Sequence, residues 1–64
     1  MKRSLQQYLE DALTVGRSSF EQTEKERHYR ELLAHLKGQF GAAVIEDEDV
    51  RWVYGQIEAM IGKR

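Results

Sequence analysis

Apolar residues recur along this chain at intervals of three and four, the period of an α-helix, and they gather in three stretches. In the first stretch Leu5, Tyr8, Leu9, Ala12 and Leu13 fall on one face. Ser4 and Gln7 stand ahead of it at capping-box spacing, and Gly16 follows where a C-terminal glycine cap belongs. The spacing predicts a helix over about 5–15. The second stretch opens at Ser18 or Ser19, because Ser18 with Glu21 and Ser19 with Gln22 both have capping-box spacing. It predicts a helix over about 19–37, about 28 Å long, that stops before Gly38. The pairs Glu21/Lys25, Glu24/His28, Glu26/Arg30 and Arg27/Glu31 support it at i,i+4, each by a few tenths of a kcal/mol. Its apolar stripe of Tyr29, Leu32, Leu33, Leu36 and Phe40 occupies only the C-terminal half, and the half after Phe20 is nearly all polar.

The third stretch has the clearest amphipathic pattern, with Val50, Val53, Tyr54, Ile57, Met60 and Ile61 on its core face and a helix expected over about 47–61. Between the second and third stretches, residues 38–45 form an uncharged connection punctuated by Gly38 and Gly41. It reads as loop, with Ala43-Val44-Ile45 either extended or tucked under the helices. The fold class is therefore all-α: three helices in a single small helical domain over residues 1–64.

The faces of these helices do not all match. If the third helix folds back on the second, Val50 comes near Leu36, Val53 and Tyr54 near Leu32 and Leu33, and Ile57 near Tyr29. If the first folds back through Gly16-Arg17-Ser18, Leu13 meets Phe20, but Leu5 and Leu9 face Thr23, Glu24, Arg27 and His28, which offer little apolar surface. Five apolar side chains at ~1.5–3 kcal/mol each are too large a gain to leave in water. The first helix then needs the far side of the third helix or a second chain. The expected assembly is a dimeric helical bundle, a homodimer in which the first or third helix completes the core in trans.

The far side of the third helix carries Trp52, Gly55 and Ala59 on one line opposite the core stripe. A mid-helix glycine costs ~1 kcal/mol relative to Ala, so Gly55 is either a notch for a closely approaching helix or a tolerated glycine. Trp52 is the only tryptophan, and tryptophan is enriched among interface hot spots. The expected partner-binding residues are Trp52, Gly55, Gln56 and Ala59 with Leu5 and Leu9. They form an intrachain seam, a dimer interface or a docking strip for a foreign protein.

Composition narrows the choice. A chain of 64 residues and about 7.5 kDa buries only roughly 60% of the surface it exposes when unfolded, too little for a deep, water-excluded active site. At 41% hydrophobic and 33% charged it is too apolar for a disordered tail. The absence of Cys excludes disulfides, thiolate-bound zinc and thiol nucleophiles. Met1-Lys2-Arg3-Ser4 is basic, but the next stretch carries Glu10 and Asp11 and is no signal-peptide core. No run approaches the ~20 apolar residues of a membrane span, so the expectation is a soluble, cytoplasmic protein with no membrane partner.

Ten basic and eleven acidic residues give a net charge of −1 that is unevenly spread. Residues 17–37 carry five basic and four acidic groups, and residues 46–61 one basic and five acidic. A helix-turn-helix reader would bring its recognition helix to the phosphates N-terminus first, and here Glu46, Asp47, Glu48 and Asp49 would repel them. Arg17, Lys25, Arg27, Arg30 and Lys37 could touch phosphate from the second helix, but Glu21, Glu24, Glu26 and Glu31 dilute that field. The acidic run suits helix capping by Asp47 or Asp49, with an acidic patch for a basic partner as the alternative. It is no calcium loop, since Arg51 and Trp52 take the fifth position and the glycine position counted from Asp47.

Glu24, His28, Glu31 and His35 line one helical face, where carboxylate and imidazole can hold a divalent metal; they flank the apolar stripe, and a solvated face of ion pairs accounts for them as well. No metal and no cofactor is assigned. Ser4, Ser18 and Ser19 are explained as caps, and Gly38-x-x-Gly41 lacks the lysine and strand of a phosphate loop. No catalytic constellation survives, and the chain is expected not to be an enzyme. The expected function is a small non-enzymatic protein-binding module, a regulator, adaptor or inhibitor of a larger protein, acting through a helical face. The alternative is a dimeric nucleic-acid-binding accessory protein using the basic residues of the second helix.

Overall fold

The structure, a computed structural model, describes residues 3–61; the expected domain ends, with Lys2 and the basic pair Lys63 and Arg64, lie outside the described residues. Among the described residues the fold is all-α and contains no strand. Four helices follow one another: α1 (Leu5–Arg17), α2 (Gln22–Phe40), α3 (Ala43–Glu46) and α4 (Glu48–Ala59).

Local chemistry sets most of these boundaries. Ser4 caps α1, its hydroxyl accepting from the Gln7 N–H at 3.2 Å. The helix runs past Gly16 to Arg17 and stops at Ser18, whose hydroxyl donates to the Val15 carbonyl at 2.6 Å. Neither Ser18 nor Ser19 begins α2. The chain first runs on to Glu21, and α2 starts three residues later than its capping-box spacing suggests, at Gln22. Of the expected i,i+4 pairs, Glu26 and Arg30 approach to 3.8 Å, while Lys25 reaches across to the Gly16 carbonyl at 3.1 Å.

At its far end α2 continues through Gly38 to Phe40 and stops at Gly41, whose φ of 58° and ψ of −128° suit a residue without a Cβ. The Gly41 N–H donates to the Lys37 carbonyl at 2.8 Å. The connection is thus not the loop expected over 38–45: its second half is the single turn α3, which buries Val44 and leaves Ile45 73% exposed. Asp47 then ends α3 and caps α4, accepting with one carboxylate oxygen from the Asp49 N–H at 2.9 Å and the Val50 N–H at 3.1 Å.

One apolar cluster holds the helices together. Tyr8 and Ala12 of α1, Tyr29, Leu32, Leu33 and Leu36 of α2, Val44 of α3, and Val50, Val53 and Ile57 of α4 form its buried centre. Leu36 and Ile57 are completely enclosed. Leu5, Leu9, Val15, Phe40, Tyr54, Met60 and Ile61 pack around it half-buried. The Cα trace measures 32 × 28 × 15 Å. With helices ~10 Å across, a slab that thin leaves every helix one face in water.

The register of α1 on α2 corrects the expected pairing. Tyr8 donates its hydroxyl to Gln39 Oε1 at 2.7 Å and packs edge-on against Phe40, and Gln39 Nε2 donates to the Arg3 carbonyl at 2.7 Å. At the other end a Cβ on Gly16 would stand 3.2 Å from the Tyr29 hydroxyl, so α1 lies along the apolar C-terminal half of α2. Leu5 and Leu9 therefore do not face Thr23, Glu24, Arg27 and His28. Phe20, expected against Leu13, stacks on His28 with ring centroids 4.9 Å apart. The first turn of α2 is exposed and polar because α1 has already ended. α1 also packs directly against α4, the intrachain one of the two partners expected for its unmatched face.

Candidate functional site

α1 packs against both α2 and α4, and each of its two flanks holds a groove of about 340 Å³. Toward α2 the walls are Arg3, Asp11, Thr14 and Val15 on one side and His28, Glu31, Leu32 and His35 on the other. Arg3 and Asp11 close an ion pair of 3.2 Å there, and the Arg3 guanidinium also lies 5.4 Å from the centre of the Tyr8 ring. Three members of the suspected ligand stripe thus reach one groove, and Glu24 does not line it. Among the described residues no group of three or more His, Cys, Asp or Glu side chains is placed to hold a metal ion.

Toward α4 the groove is apolar. Leu5, Gln6 and Leu9 of α1 face Asp49, Trp52 and Val53 of α4, so it joins the N-terminal halves of the two helices. Each side chain is there for a local reason. The Asp47 cap fixes where α4 begins, and Val50, Val53 and Ile57 must enter the core. At 100° per residue that turns Trp52 outward beside α1. Trp52 remains 57% exposed, with Leu13 at 41% one turn beyond Leu9 on α1. On α1, Tyr8 and Ala12 are committed inward, which leaves Leu5 and Leu9 at the edge of the core, half-buried.

Of the six residues expected to bind a partner, Leu5, Leu9 and Trp52 meet in this groove. Gly55, Gln56 and Ala59 are exposed and continue the outer face of α4 without lining it. A Cβ built on Gly55 has no neighbour within 4 Å, so the notch is open to solvent and no helix of this chain fills it. Gln6, Asp49 and Val53 complete the groove and are not among the six expected residues. Asp49 and Val53 had a readable signal, since they bracket Trp52 within one turn; Gln6 had none, because polar residues on α1 look alike until its neighbour is known.

The electrostatics of this end of α4 are one-sided. Glu46, Glu48 and Asp49 are exposed beside the capping Asp47. Glu10, exposed on α1, accepts from Gln6 Nε2 at 3.2 Å at the groove edge. The basic side chain of α4, Arg51, is turned to the Ile45 carbonyl at 3.3 Å. The arrangement sets an exposed indole and carboxylates beside two half-buried leucines. Comparison with known proteins adds no family: no family model matches the chain, and no curated protein and no solved structure matches it. Among the described residues no helix is long and apolar enough to cross a membrane. The class that these findings define is a small all-α domain.

Proposed function

We propose that this chain is a small non-enzymatic protein-binding module, a regulator, adaptor or inhibitor of a larger protein, that engages its partner through the α1/α4 face. The observation that carries the reading is Trp52: 57% exposed over a groove built from Leu5 and Leu9, on a core that is complete without it. Covering apolar surface of that kind contributes ~25 cal/mol per Å² on association, and a rigid aromatic anchor loses little side-chain entropy when it docks. The test is capture from an extract of the source cells on immobilised wild-type chain and on Trp52→Ala. A protein retained by the first and not the second, with shallow salt dependence, is the expected result.

The alternative reading, nucleic-acid binding from the basic residues of α2, gains little support. Arg30 sits beside Glu26, and Glu21, Glu24 and Glu31 are exposed on or beside the same helix. Retention of nucleic acid that falls steeply with salt and ignores Trp52→Ala would replace the first reading with this one. Self-association is read separately, from absolute mass by light scattering over a concentration series: a dimer dispersed by Trp52→Ala would make a second copy the partner.

A further inference from the structure

We propose that the occupant of the α1/α4 groove is a cationic amphipathic helix of another protein, with its apolar ridge against Leu5, Leu9 and Trp52 and lysine or arginine side chains against Glu48 and Asp49. This rests on the protein-binding reading and names the chemistry of the partner. The argument begins with charge. The N-terminus of a helix carries about half a positive charge, and one capping carboxylate is enough to complement it. Four consecutive carboxylates, Glu46 to Asp49, stand at the start of α4, and only Asp47 makes the capping hydrogen bonds. The excess is negative. Arg51, hydrogen-bonded to the Ile45 carbonyl, offsets one of the four charges, and Arg3 is held by Asp11 on the opposite flank of α1.

The position of that charge relative to the tryptophan supplies the second step. Glu48 and Asp49 precede Trp52 by four and three residues, so all three share one side of α4. A cation lying over an exposed indole is attracted by the ring, and the attraction grows where carboxylates stand alongside. Lysine and arginine satisfy both at once. Their aliphatic stems cover apolar surface while the charged end reaches the rim. Gly55 and Ala59 continue the line from Trp52, and the empty space over Gly55 admits a helix backbone closer than any larger residue would.

A second copy of this chain fits the face less well. Pairing about a two-fold axis sets the same acidic patch against itself, so neither copy brings surplus positive charge to Glu48 and Asp49. Of the exposed basic residues, Arg27, Arg30 and Lys37 lie on α2 and do not line this groove, so using them would require a head-to-tail contact between copies.

The test uses the full chain and its single tryptophan as reporter. The probe is a synthetic amphipathic helix without Trp or Tyr, with leucines at i, i+3, i+4 and i+7 and lysines on the flanks; the control replaces every lysine by glutamate. Expected are a saturable blue shift of Trp52 emission with the lysine peptide and affinity about tenfold or more weaker for the glutamate peptide. Glu48→Gln and Asp49→Asn should each weaken the lysine peptide about two- to fivefold, and Gly55→Leu, which leaves the core untouched, should weaken it further. Equal affinity for both peptides overturns the cationic occupant and leaves the protein-binding reading standing. No response to either, with a dimer that Trp52→Ala disperses, hands the groove to a second copy. No response from a chain that is monomeric by light scattering overturns the proposal and the reading beneath it.

Discussion

The two faces of α4 both carry apolar side chains and put them to opposite use. One face drives Val50, Val53 and Ile57 into a core shared with α1, α2 and α3, where they are 5% exposed or less. The other sets Trp52 in water at 57% exposure, beside an unfilled notch at Gly55. Burial is what stabilises a domain of this size, and its net stability is only about 3–5 kcal/mol. The first face is therefore needed for folding, whereas the second contributes little to it. A large apolar residue that the fold does not use is the reason for assigning the outer face to association.

The most direct attack on this contrast is Ile57→Ala, since Ile57 has no exposed surface. Removing it forfeits transfer energy and leaves a cavity, together about 2–5 kcal/mol. That matches the whole stability of so small a domain, so circular dichroism at room temperature should show a largely unfolded chain. A cooperative melt near the wild-type temperature would mean that the inner face is not the core. Gly41→Ala should cost about 1–3 kcal/mol, because φ of 58° with ψ of −128° strains any residue bearing a Cβ even where space is open. Its melting temperature checks whether that turn, which aims α3 and α4 back at α2, has to be a glycine.

Asp47→Ala addresses what both faces share, the start of α4. Losing a carboxylate that accepts from two backbone N–H groups should cost about 1 kcal/mol, measured by urea denaturation. Asp47→Asn, which can still accept, should recover most of it. Trp52→Ala then sharpens the contrast from the outer side. It should lower stability by about 1 kcal/mol or less, since more than half of the side chain is already in water and alanine is the better helix former. Partner capture should nevertheless be lost. If Trp52→Ala unfolds the chain as Ile57→Ala does, Trp52 is core, and the assignment of the outer face fails with it.

Much of this division could be read from the residues, and the failures have a common cause. Ser4 and Asp47 act as caps because a short polar side chain ahead of an amphipathic run has few other roles. The inward stripes of α2 and α4 follow from period alone. Trp52, Gly55 and Ala59 were placed on the outer face by that same period, and they are exposed. What periodicity does not carry is the translation of one helix along another. The stretch from Ser18 to Glu21 delays α2, and Gln39 clips the start of α1 by bonding both Tyr8 and the Arg3 carbonyl. Those contacts slide α1 onto the apolar half of α2, which a short turn at Gly16 would have prevented. Gly38, with open space around its missing Cβ, has the look of a stop, yet a surface glycine inside a helix costs only about 1 kcal/mol, less than packing Phe40 returns. Leu5 and Leu9 lack a partner on the polar half of α2 but have one in α4, and they matter because Trp52 leaves their groove open.

The smallest expected effect separates the two faces most cleanly, because its sign differs between folding and binding. Gly55 lies in the body of α4, and an alanine Cβ there would meet nothing within 4 Å. Gly55→Ala should stabilise the domain by about 0.5–1 kcal/mol, since the glycine loses more backbone freedom on folding and alanine is the strongest helix former. If a partner helix seats over the notch, the same methyl group holds it away from the backbone and weakens capture even as the melting temperature rises. A stabilised chain with weakened capture places Gly55 under the partner. A stabilised chain with unchanged capture confines docking to the Trp52 groove and leaves Gly55 a tolerated glycine. A destabilised chain would mean that something does approach Gly55 in solution, and with Trp52 exposed beside it the candidate would be a second copy, detectable as a mass that rises with concentration.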